Sequence, residues 1–406
     1  MPFNISISGI DAASSDLDVA SNNIANANTT GFKAGTAQFG DIFTQNEGGG
    51  VASTAIGSGV QLESVDQDFS QGNITSTGNA LDLALNGTGF FTLSDNGSLV
   101  YTRAGDFTQD DDGYVVDSSG QRLQIFPATA TGTINTGQLG DLQVPTGDSA
   151  PAATTQLSVG VNLPSGATPV TTTPFSPTDP TSYTDSTSTT VYDSLGQSHT
   201  AALYFIQSAT PNTWTVQATV DGTLVGTPQT VTYNNNGTLT APPGGTITLP
   251  AYAPTTGAAP MDLTLNLDDS TQYGGQFAVN SLQQNGYATG QPTGLQISDS
   301  GVISATFTNG QSSTLGQVAL SNFADPQALQ QVSDTDWTVT PASGPAIQGV
   351  AASGAFGTIQ SGALEASNVD LSSQLVDLIS AQRNYQANAQ ALQAESTVDQ
   401  TLLQIH

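Results

Sequence analysis

The sequence predicts a mainly β protein with an α-helix at each end, and the two helices are expected to pair as a coiled-coil stalk. Near both ends, apolar residues recur at spacings of three and four residues, which is the helical period. Between the ends, apolar and polar residues alternate and turn dipeptides are frequent, as in β-strands joined by hairpins. Because each helical row of apolar residues is too narrow to form a domain core, the helices are expected to pair with each other and with copies of the chain.

The N-terminal helix is predicted over residues 3–27. Ser14 and Ser21 occupy the two places in its row where an apolar residue is missing. Gly31 ends the pattern, and the asparagines and glycine that follow the helix suit caps and left-handed turns. The predicted row of this helix consists of Phe3, Ile7, Ile10, Leu17 and Ile24.

The C-terminal helix is predicted from residue 371 onward, with Ser367 and Asp370 as candidate caps. Its row shifts by one residue near Val398, as expected when a 3.6-residue period meets a seven-residue repeat. The predicted row consists of Leu371, Leu375, Leu378, Tyr385, Leu392 and Leu402. Together the two rows are the candidate self-assembly site.

The middle of the chain is predicted to be β. Residues 81–126 fit an antiparallel meander, because Leu residues alternate with polar residues and Gly-containing turn pairs follow. Residues 146–185 are rich in Pro, Thr and Ser, which suggests a linker or a domain boundary, and further strands follow from about residue 187. The predicted hairpin turns are Asn86-Gly87, Asn96-Gly97 and Asp112-Gly113.

The composition argues against several functions. The 406 residues contain four Lys and Arg against 33 Asp and Glu, a net charge of −29, so binding to nucleic acid or to anionic lipid is not expected. The absence of cysteine excludes disulfides and thiolate metal sites. No apolar run approaches the ~18 residues of a membrane span, so no membrane insertion is expected. The first residues lack the features of a cleavable signal peptide, which predicts either a cytosolic protein or an export route that keeps the N-terminus.

No catalytic, cofactor or metal site is predicted. His199 is expected to be a surface or packing residue, because no second metal ligand accompanies it. The acidic segment TQDDDGYVVDSS has Thr108 and Ser119 where a calcium loop needs carboxylates, so it is expected to be a solvated hairpin turn. No spacing singles out a catalytic carboxylate pair, and the four basic residues lie far apart in sequence. The chain is therefore not expected to be an enzyme.

Two long segments resemble the bacterial flagellar rod, hook and hook-associated family. The N-terminal motif of that family is similar to residues 17–43, LDVASNNIANANTTGFKAGTAQFGDIF. Its C-terminal motif is similar to residues 362–392, GALEASNVDLSSQLVDLISAQRNYQANAQAL. The residues that carry the two motifs are Asn22, Asn23, Ile24, Ala25, Asn26, Gly31, Phe32, Lys33, Asn368, Val369, Asp370, Gln382, Arg383 and Tyr385.

Within this family the resemblance is nearest to the hook subunits, because of residues 191–214, residues 293–329 and the chain length. It implies a structural subunit that polymerises into a flexible curved tube, a universal joint that transmits motor torque from rod to filament. A distal rod or hook–filament junction protein of the same family is the first alternative. A secreted β-rich adhesin or carbohydrate-binding module is the second, and the clustered aromatics that would favour it are not evident among two Trp and 7% aromatic residues.

The resemblance also implies a division of the chain into four parts. These are a terminal helical domain that forms an inner tube, an extended connector, an inner β domain and an outer β domain inserted into it. The terminal helical domain is 1–30 with 367–406, and the extended connector is 31–70 with 358–366. The inner β domain is 71–145 with 288–357, and the outer β domain is 146–287.

The implied partners are further copies of the chain, the distal rod protein, the hook cap, the hook-associated junction protein and the flagellar type III export apparatus. No cofactor is implied. The implied location is the flagellar hook, outside the cell, after export without a cleaved signal. For Lys33 three roles are open: it neutralises the C-terminus of the first helix, contacts an acidic neighbouring subunit, or stands isolated in solvent.

Overall fold

One helix precedes the β structure and another follows it, as the sequence predicts. The computed structural model describes residues 2–42, 57–333 and 335–404. Helix α1 spans Pro2–Ala25 and helix α2 spans Leu371–Gln404, and the other regular elements of the described residues are β-strands and short 3₁₀ turns. The predicted fold class, mainly β with paired terminal helices, is confirmed.

The described residues contain 28 strands. Before residue 150 they are β1 Gly35–Asp41, β2 Val60–Gln67, β3 Ile74–Ser76, β4 Leu83–Asn86, β5 Phe90–Asp95, β6 Ser98–Thr102, β7 Thr108–Gln109, β8 Val115–Val116, β9 Arg122–Pro127 and β10 Gly140–Asp141. They continue with β11 Gln156–Pro164, β12 Asp185–Tyr192, β13 Ser198–Gln207, β14 Thr213–Val220, β15 Thr223–Tyr233, β16 Leu239–Ala241, β17 Thr246–Thr248, β18 Thr264–Asn266, β19 Thr271–Tyr273 and β20 Ala278–Gln284. The last are β21 Pro292–Ile297, β22 Val302–Phe307, β23 Ser312–Asn322, β24 Gln330–Ser333, β25 Asp336–Thr338, β26 Ile347–Val350, β27 Thr358–Ser361 and β28 Ala363–Glu365.

The chain divides into two compact units. Unit 1 comprises Met1–Pro145, Gly294–Thr306 and Ser312–His406, and unit 2 comprises Thr146–Thr293 and Phe307–Gln311. Unit 1 therefore contains both terminal helices together with the first and the last strands.

Unit 2 is a sandwich of two five-stranded sheets. One sheet has the order β17-β18-β11-β19, with β20 on the other edge of β11, and the second has the order β12-β13-β14-β15-β16. Apolar side chains from both sheets share one core around the fully buried Trp214. Strand β11 lies at the centre of the first sheet, so the prediction of a linker over 146–185 is wrong for these residues. Its side chains from Leu157 to Leu163 alternate into the core, a signal that the surrounding Pro, Thr and Ser obscure. The alternative prediction, a domain boundary, agrees with the start of unit 2 at Thr146.

Unit 1 is built on a large twelve-stranded sheet whose central order is β23-β9-β5-β6. The predicted meander over residues 81–126 is present only in part. Strands β5 and β6 form a hairpin, and β8 pairs with both β7 and β9. Strand β4 pairs with β27 and not with β5, so the predicted hairpin at Asn86-Gly87 is wrong. Asn96 and Gly97 have φ values of 50° and 95°, the left-handed pair that a tight hairpin turn requires. A cluster of aromatic side chains in this unit surrounds Trp337, which is 1% exposed.

The predicted connector contains an antiparallel hairpin instead of an extended segment. Strands β1 and β2 pair from Gly35 opposite Gln67 to Asp41 opposite Val60, with a register shift near Phe39. Both strands pack on α1. On the return pass, β27 pairs with β4 and β28 pairs with β3, so these residues belong to the β structure as well.

His199 in unit 2 lies between two carboxylates. Its Nδ1 is 2.6 Å from Asp221 Oδ2 and its Nε2 is 3.3 Å from Asp193 Oδ2, and Thr256 Oγ1 donates to the same Asp193 oxygen at 2.8 Å. Burial acts to lower the pKa of His199, but the hydrogen bonds to Asp221 and Asp193 outweigh it and raise the pKa above its ordinary value. The predicted packing role of this histidine thus includes an internal ion cluster.

This cluster predicts that the stability of unit 2 falls as the pH rises above about 6.5. A histidine whose folded-state pKa exceeds its unfolded value of ~6.5 contributes stability below that pH and loses the contribution as the pH rises through the folded-state pKa. The measurement is the free energy of unfolding between pH 6 and pH 9, followed by Trp214 fluorescence with Trp337 replaced by Phe. We expect His199→Gln to remove this pH dependence, and an unchanged dependence in that variant would contradict the assignment.

Candidate assembly site on the terminal helices

Helices α1 and α2 lie against each other in antiparallel orientation. At one end of the pair, Ser6 Oγ donates a hydrogen bond to Glu395 Oε1 at 3.0 Å. At the other end, Asn23 Nδ2 donates to Gln374 Oε1 at 2.9 Å. The two ends of the described chain therefore form one helical pair.

A row of small and polar side chains on α1 lies in this contact. Ala13 and Ala20 are 6% and 3% exposed, and Ala381 on α2 is fully buried. A Cβ atom added at Gly9 would lie 2.8 Å from the side chain of Asn388, closer than packed atoms come. Small residues therefore let the two helices approach closely. This small-residue row consists of Ser6, Gly9, Ala13, Asp16, Ala20 and Asn23.

In the predicted apolar row of α1, Ile10, Leu17 and Ile24 lie beside the small-residue row, whereas Ile7 lies toward the opposite side of the helix. Apart from Phe3, each predicted residue comes one position after a member of the small-residue row. Ile7 is 44% exposed. The other predicted residues are half-buried, and they are Phe3, Ile10, Leu17 and Ile24. Hydrophobic patterning could not find the small-residue row, since Ser, Gly, Ala, Asp and Asn leave no apolar signal.

The predicted row of α2 divides between two faces. Leu378 and Leu392 are half-buried, and they follow Gln374 and Asn388 by four residues, so they lie on the face toward α1. Tyr385 is 41% exposed at the edge of this face.

Other predicted residues of α2 lie on a different face. Leu371 and Leu375 are 46% and 51% exposed, and so are not covered within one chain. Leu402 lies in α2, but its side chain is outside the part that the structure describes. The paired helices thus keep an uncovered apolar surface.

A buried ion cluster, Lys33 with Arg103 and Glu365, joins both helices to the β structure. Lys33 Nζ donates to Glu365 Oε1 at 2.6 Å and to the Ser70 carbonyl at 2.7 Å. Arg103 Nη1 lies 3.4 Å from Glu365 Oε2. The side chains of Lys33 and Glu365 are fully buried, and that of Arg103 is 4% exposed. The cluster therefore connects the segment after α1, the segment before α2 and the end of β6.

The structure corrects all three roles considered for Lys33. Its amino group neither caps the end of α1 nor stands in solvent, and it is too deeply buried to meet another subunit. It binds Glu365 in the same chain. Local sequence patterns could not identify this partner, because the two residues are 332 positions apart.

The ion cluster has an excess of positive charge. Burial lowers the pKa of Lys33 and that of Arg103, while attraction to Glu365 opposes the shift in both cases. One carboxylate serves two cations, and Arg103 Nε has no hydrogen-bond partner. Loss of Glu365 would leave two buried cations without a carboxylate in contact, and only the attraction of the exposed Asp68 to Lys33 would remain.

Two asparagines of the family-like motifs hold the backbone around the ion cluster. Asn23 makes a two-way contact with Gly35: its Nδ2 donates to the carbonyl at 2.7 Å and its Oδ1 accepts from the amide at 2.9 Å. Asn368 Oδ1 accepts from the Ala34 amide at 2.8 Å, and its Nδ2 donates to the Asp68 carbonyl at 2.7 Å. The β1–β2 hairpin is thereby fixed to the end of α1 and the start of α2.

Two further motif residues shape the chain at the start of α2 and in the turn that follows α1. Asp370 Oδ1 accepts from the Ser372 and Ser373 amides at 2.8 and 3.2 Å, so it caps α2 as predicted. Gly31 has a φ of +69°, and a Cβ atom there would lie 2.4 Å from the Ala104 backbone nitrogen, so only glycine fits.

The remaining motif residues lie around the ion cluster and along α2. Phe32 is buried, Val369 is half-buried, and Asn26 Nδ2 donates to Asn22 Oδ1 at 2.8 Å just after α1. Ile24 and Ala25 are the last residues of α1, and Gln382, Arg383 and Tyr385 are exposed on α2. No group of three or more His, Asp or Glu among the described residues is placed to hold a metal ion. None of the described helices is long and apolar enough to cross a membrane.

The ion cluster predicts a large loss of stability in Glu365→Gln. Removing the carboxylate strands two buried cations, which costs about 3–5 kcal/mol in the free energy of unfolding. The measurement is denaturant unfolding of unit 1, followed by Trp337 fluorescence with Trp214 replaced by Phe. Asp141→Asn is the matched control, because Asp141 forms an ion pair with Arg122 whose side chains are 30% and 41% exposed. Equal losses of unfolding free energy in the two variants would show that the buried ion pair stabilises the protein no more than the exposed pair does.

Four flagellar family models match the chain in sequence order. They are the flagella basal body rod protein over residues 3–33, the flagellar hook protein FlgE/F/G D1 domain over 84–172, the flagellar basal body protein FlaE D2 domain over 162–287, and the flagellar basal body rod FlgEFG protein C-terminal over 360–405. The matched regions include both helices and both units.

Whole-length relatives agree with these models. The flagellar hook protein FlgE of Escherichia coli (strain K12) is 39% identical over 413 residues, covering 100% of each chain. That of Salmonella typhimurium (strain LT2) is 39% identical over 416 residues, again covering 100% of each chain. The crystal structure of the Helicobacter pylori flagellar hook protein FlgE2 is 16% identical, covers 72% of this chain and 100% of its own, and has a TM-score of 0.52, which supports the fold. The chain belongs to the flagellar hook protein FlgE family and is a structural subunit of the flagellar hook.

Proposed function

We propose that this subunit polymerises through its terminal helices into the flexible curved tube of the hook, which transmits motor torque from rod to filament. The observation that carries the proposal is the apolar surface that one chain leaves uncovered on both helices. Ile7, Leu371 and Leu375 are 44%, 46% and 51% exposed, and Ile379 is 47% exposed. Burying such half-exposed side chains stabilises a contact by roughly 1 kcal/mol each, since full burial contributes about 1.5–3 kcal/mol.

The proposed division of labour assigns the inner tube to residues 1–30 with 367–406. The inner β domain is 71–145 with 288–357, and the outer β domain is 146–287. The β domains of neighbouring subunits make weak, polar contacts, so that these domains slide past each other when the tube bends. Support comes from the composition, because only 9% of the residues are charged. Strong salt bridges between outer domains would favour one register and resist sliding.

The connector, 31–70 with 358–366, is proposed to hold the inner tube to the β structure. Its described part is a hairpin packed on α1 and fixed by the Lys33–Glu365 pair and Asn368. We therefore propose that the β domains of neighbouring subunits move relative to each other, while the connector holds its own subunit's helices and β structure rigidly together.

The proposed partners are the distal rod protein at the proximal end, the hook cap during assembly, the hook-associated junction protein at the distal end and the type III export apparatus. Both ends of the chain match rod-family models. This similarity supports contacts between the terminal helices of this subunit and the terminal helices of neighbouring flagellar proteins. We propose no enzymatic activity, no cofactor and no nucleic-acid partner, and the structural nature of the family supports this.

The proposal predicts that Leu378→Asp abolishes polymerisation. Leu378 faces α1 and is half-buried, so an aspartate would place a charge where the helices exclude water. The measurement is tube formation by the purified protein, seen by electron microscopy and by sedimentation. Leu195→Asp is the matched control, because Leu195 is 61% exposed in unit 2. Formation of tubes of normal length by the Leu378→Asp variant would contradict the proposal.

A further inference from the structure

The face of α2 that points away from α1 carries an apolar ridge that ends in a cation. Leu371, Leu375, Ile379 and Arg383 follow each other at four-residue spacing, and Val376 lies beside them. Residues four positions apart form one ridge on a helix surface. Val376 is 62% exposed and Ile379 is 47% exposed, so one chain leaves the ridge uncovered.

Arg383 differs from the other three basic side chains of the protein, all four of which lie in the described part. Lys33 and Arg103 bind Glu365, and Arg122 binds Asp141. Among the described residues, no carboxylate lies within ion-pair distance of Arg383. Its neighbours three and four positions away on α2 are Ile, Ser, Gln and Ala. Among the basic side chains, it is thus the one without a carboxylate partner in the described part of the chain.

The outer face of α1 offers the complementary chemistry. Asp11 and Asp18 are both exposed, and they lie on the side of α1 that is opposite to the small-residue row, together with Ile7. Neither aspartate has a basic residue three or four positions away. The row from Ile7 to Asp18 is about 17 Å long, and the α2 ridge from Leu371 to Arg383 is about 18 Å long, at ~1.5 Å per residue.

We propose that the α2 ridge of one subunit docks on the outer face of α1 in a second copy, with Arg383 bound to Asp11 or Asp18. This inference rests on the proposed polymerisation and specifies which surfaces meet. The apolar ridge supplies the buried area, and the ion pair fixes the register along the helices. In a chain with so few cations, a pair of this kind restricts the register to two positions, because any other shift of α2 would leave Arg383 away from both Asp11 and Asp18.

The first test is the critical concentration for polymerisation of the full-length chain, measured by sedimentation for wild type, Arg383→Glu and Arg122→Glu. We expect Arg383→Glu to raise it by roughly tenfold or more, because a like-charge contact replaces an ion pair. Arg122→Glu makes the same change in net charge at a site away from the helices, and it is expected to leave assembly unchanged. Circular dichroism and Trp fluorescence check that each monomer is folded.

The second test is charge reversal. Asp11→Arg and Asp18→Arg are each combined with Arg383→Glu, and we expect one of the two pairs to restore assembly. If neither pair restores it, or if Arg383→Glu assembles like wild type, the docking contact is wrong while polymerisation through the helices stands. If the wild-type chain itself forms no tubes, both the docking contact and the proposed function fall.

Discussion

The buried carboxylate of Glu365 is the constraint on which the rest of unit 1 depends. It holds Lys33 and Arg103 at once, and it also accepts a hydrogen bond from the Gly72 amide at 2.8 Å. Its own backbone carbonyl accepts from the Gly31 amide at 2.8 Å. Burying these charges is costly, and their mutual contacts repay the cost only when all are in place. One residue therefore joins the turn after α1, the start of the hairpin and the segment before α2.

The same helix pair separates two kinds of contact. Within the chain, the helices meet through small and polar residues, which pack closely but bury little apolar area. The larger apolar side chains, such as Ile7 and Leu375, remain accessible. A subunit with this arrangement can hold its own ends together and still keep most of its hydrophobic driving force for contacts with other copies.

The sequence predicted the parts of the structure that depend on local pattern. The two helices, the Asn96-Gly97 turn and the Asp370 cap follow from spacing, φ preference and side-chain chemistry over a few residues. It failed where contacts are distant or lack an apolar signal: the Lys33–Glu365 pair joins residues far apart, and the small-residue row around Ala13 carries no hydrophobic period. Strand β11 was missed because its alternating Leu and Val lie among Pro and Thr.

The pairing of residues 33 and 365 also has a consequence for the order of folding. Closing a flexible loop of that length costs about 5 kcal/mol in chain entropy, so the ends cannot find each other early. Pairing of β27 with β4 and of β28 with β3 brings residue 365 near residue 74 first and shortens the remaining search. We therefore expect the β framework to form before the terminal helices come together, and the helices to separate first on unfolding.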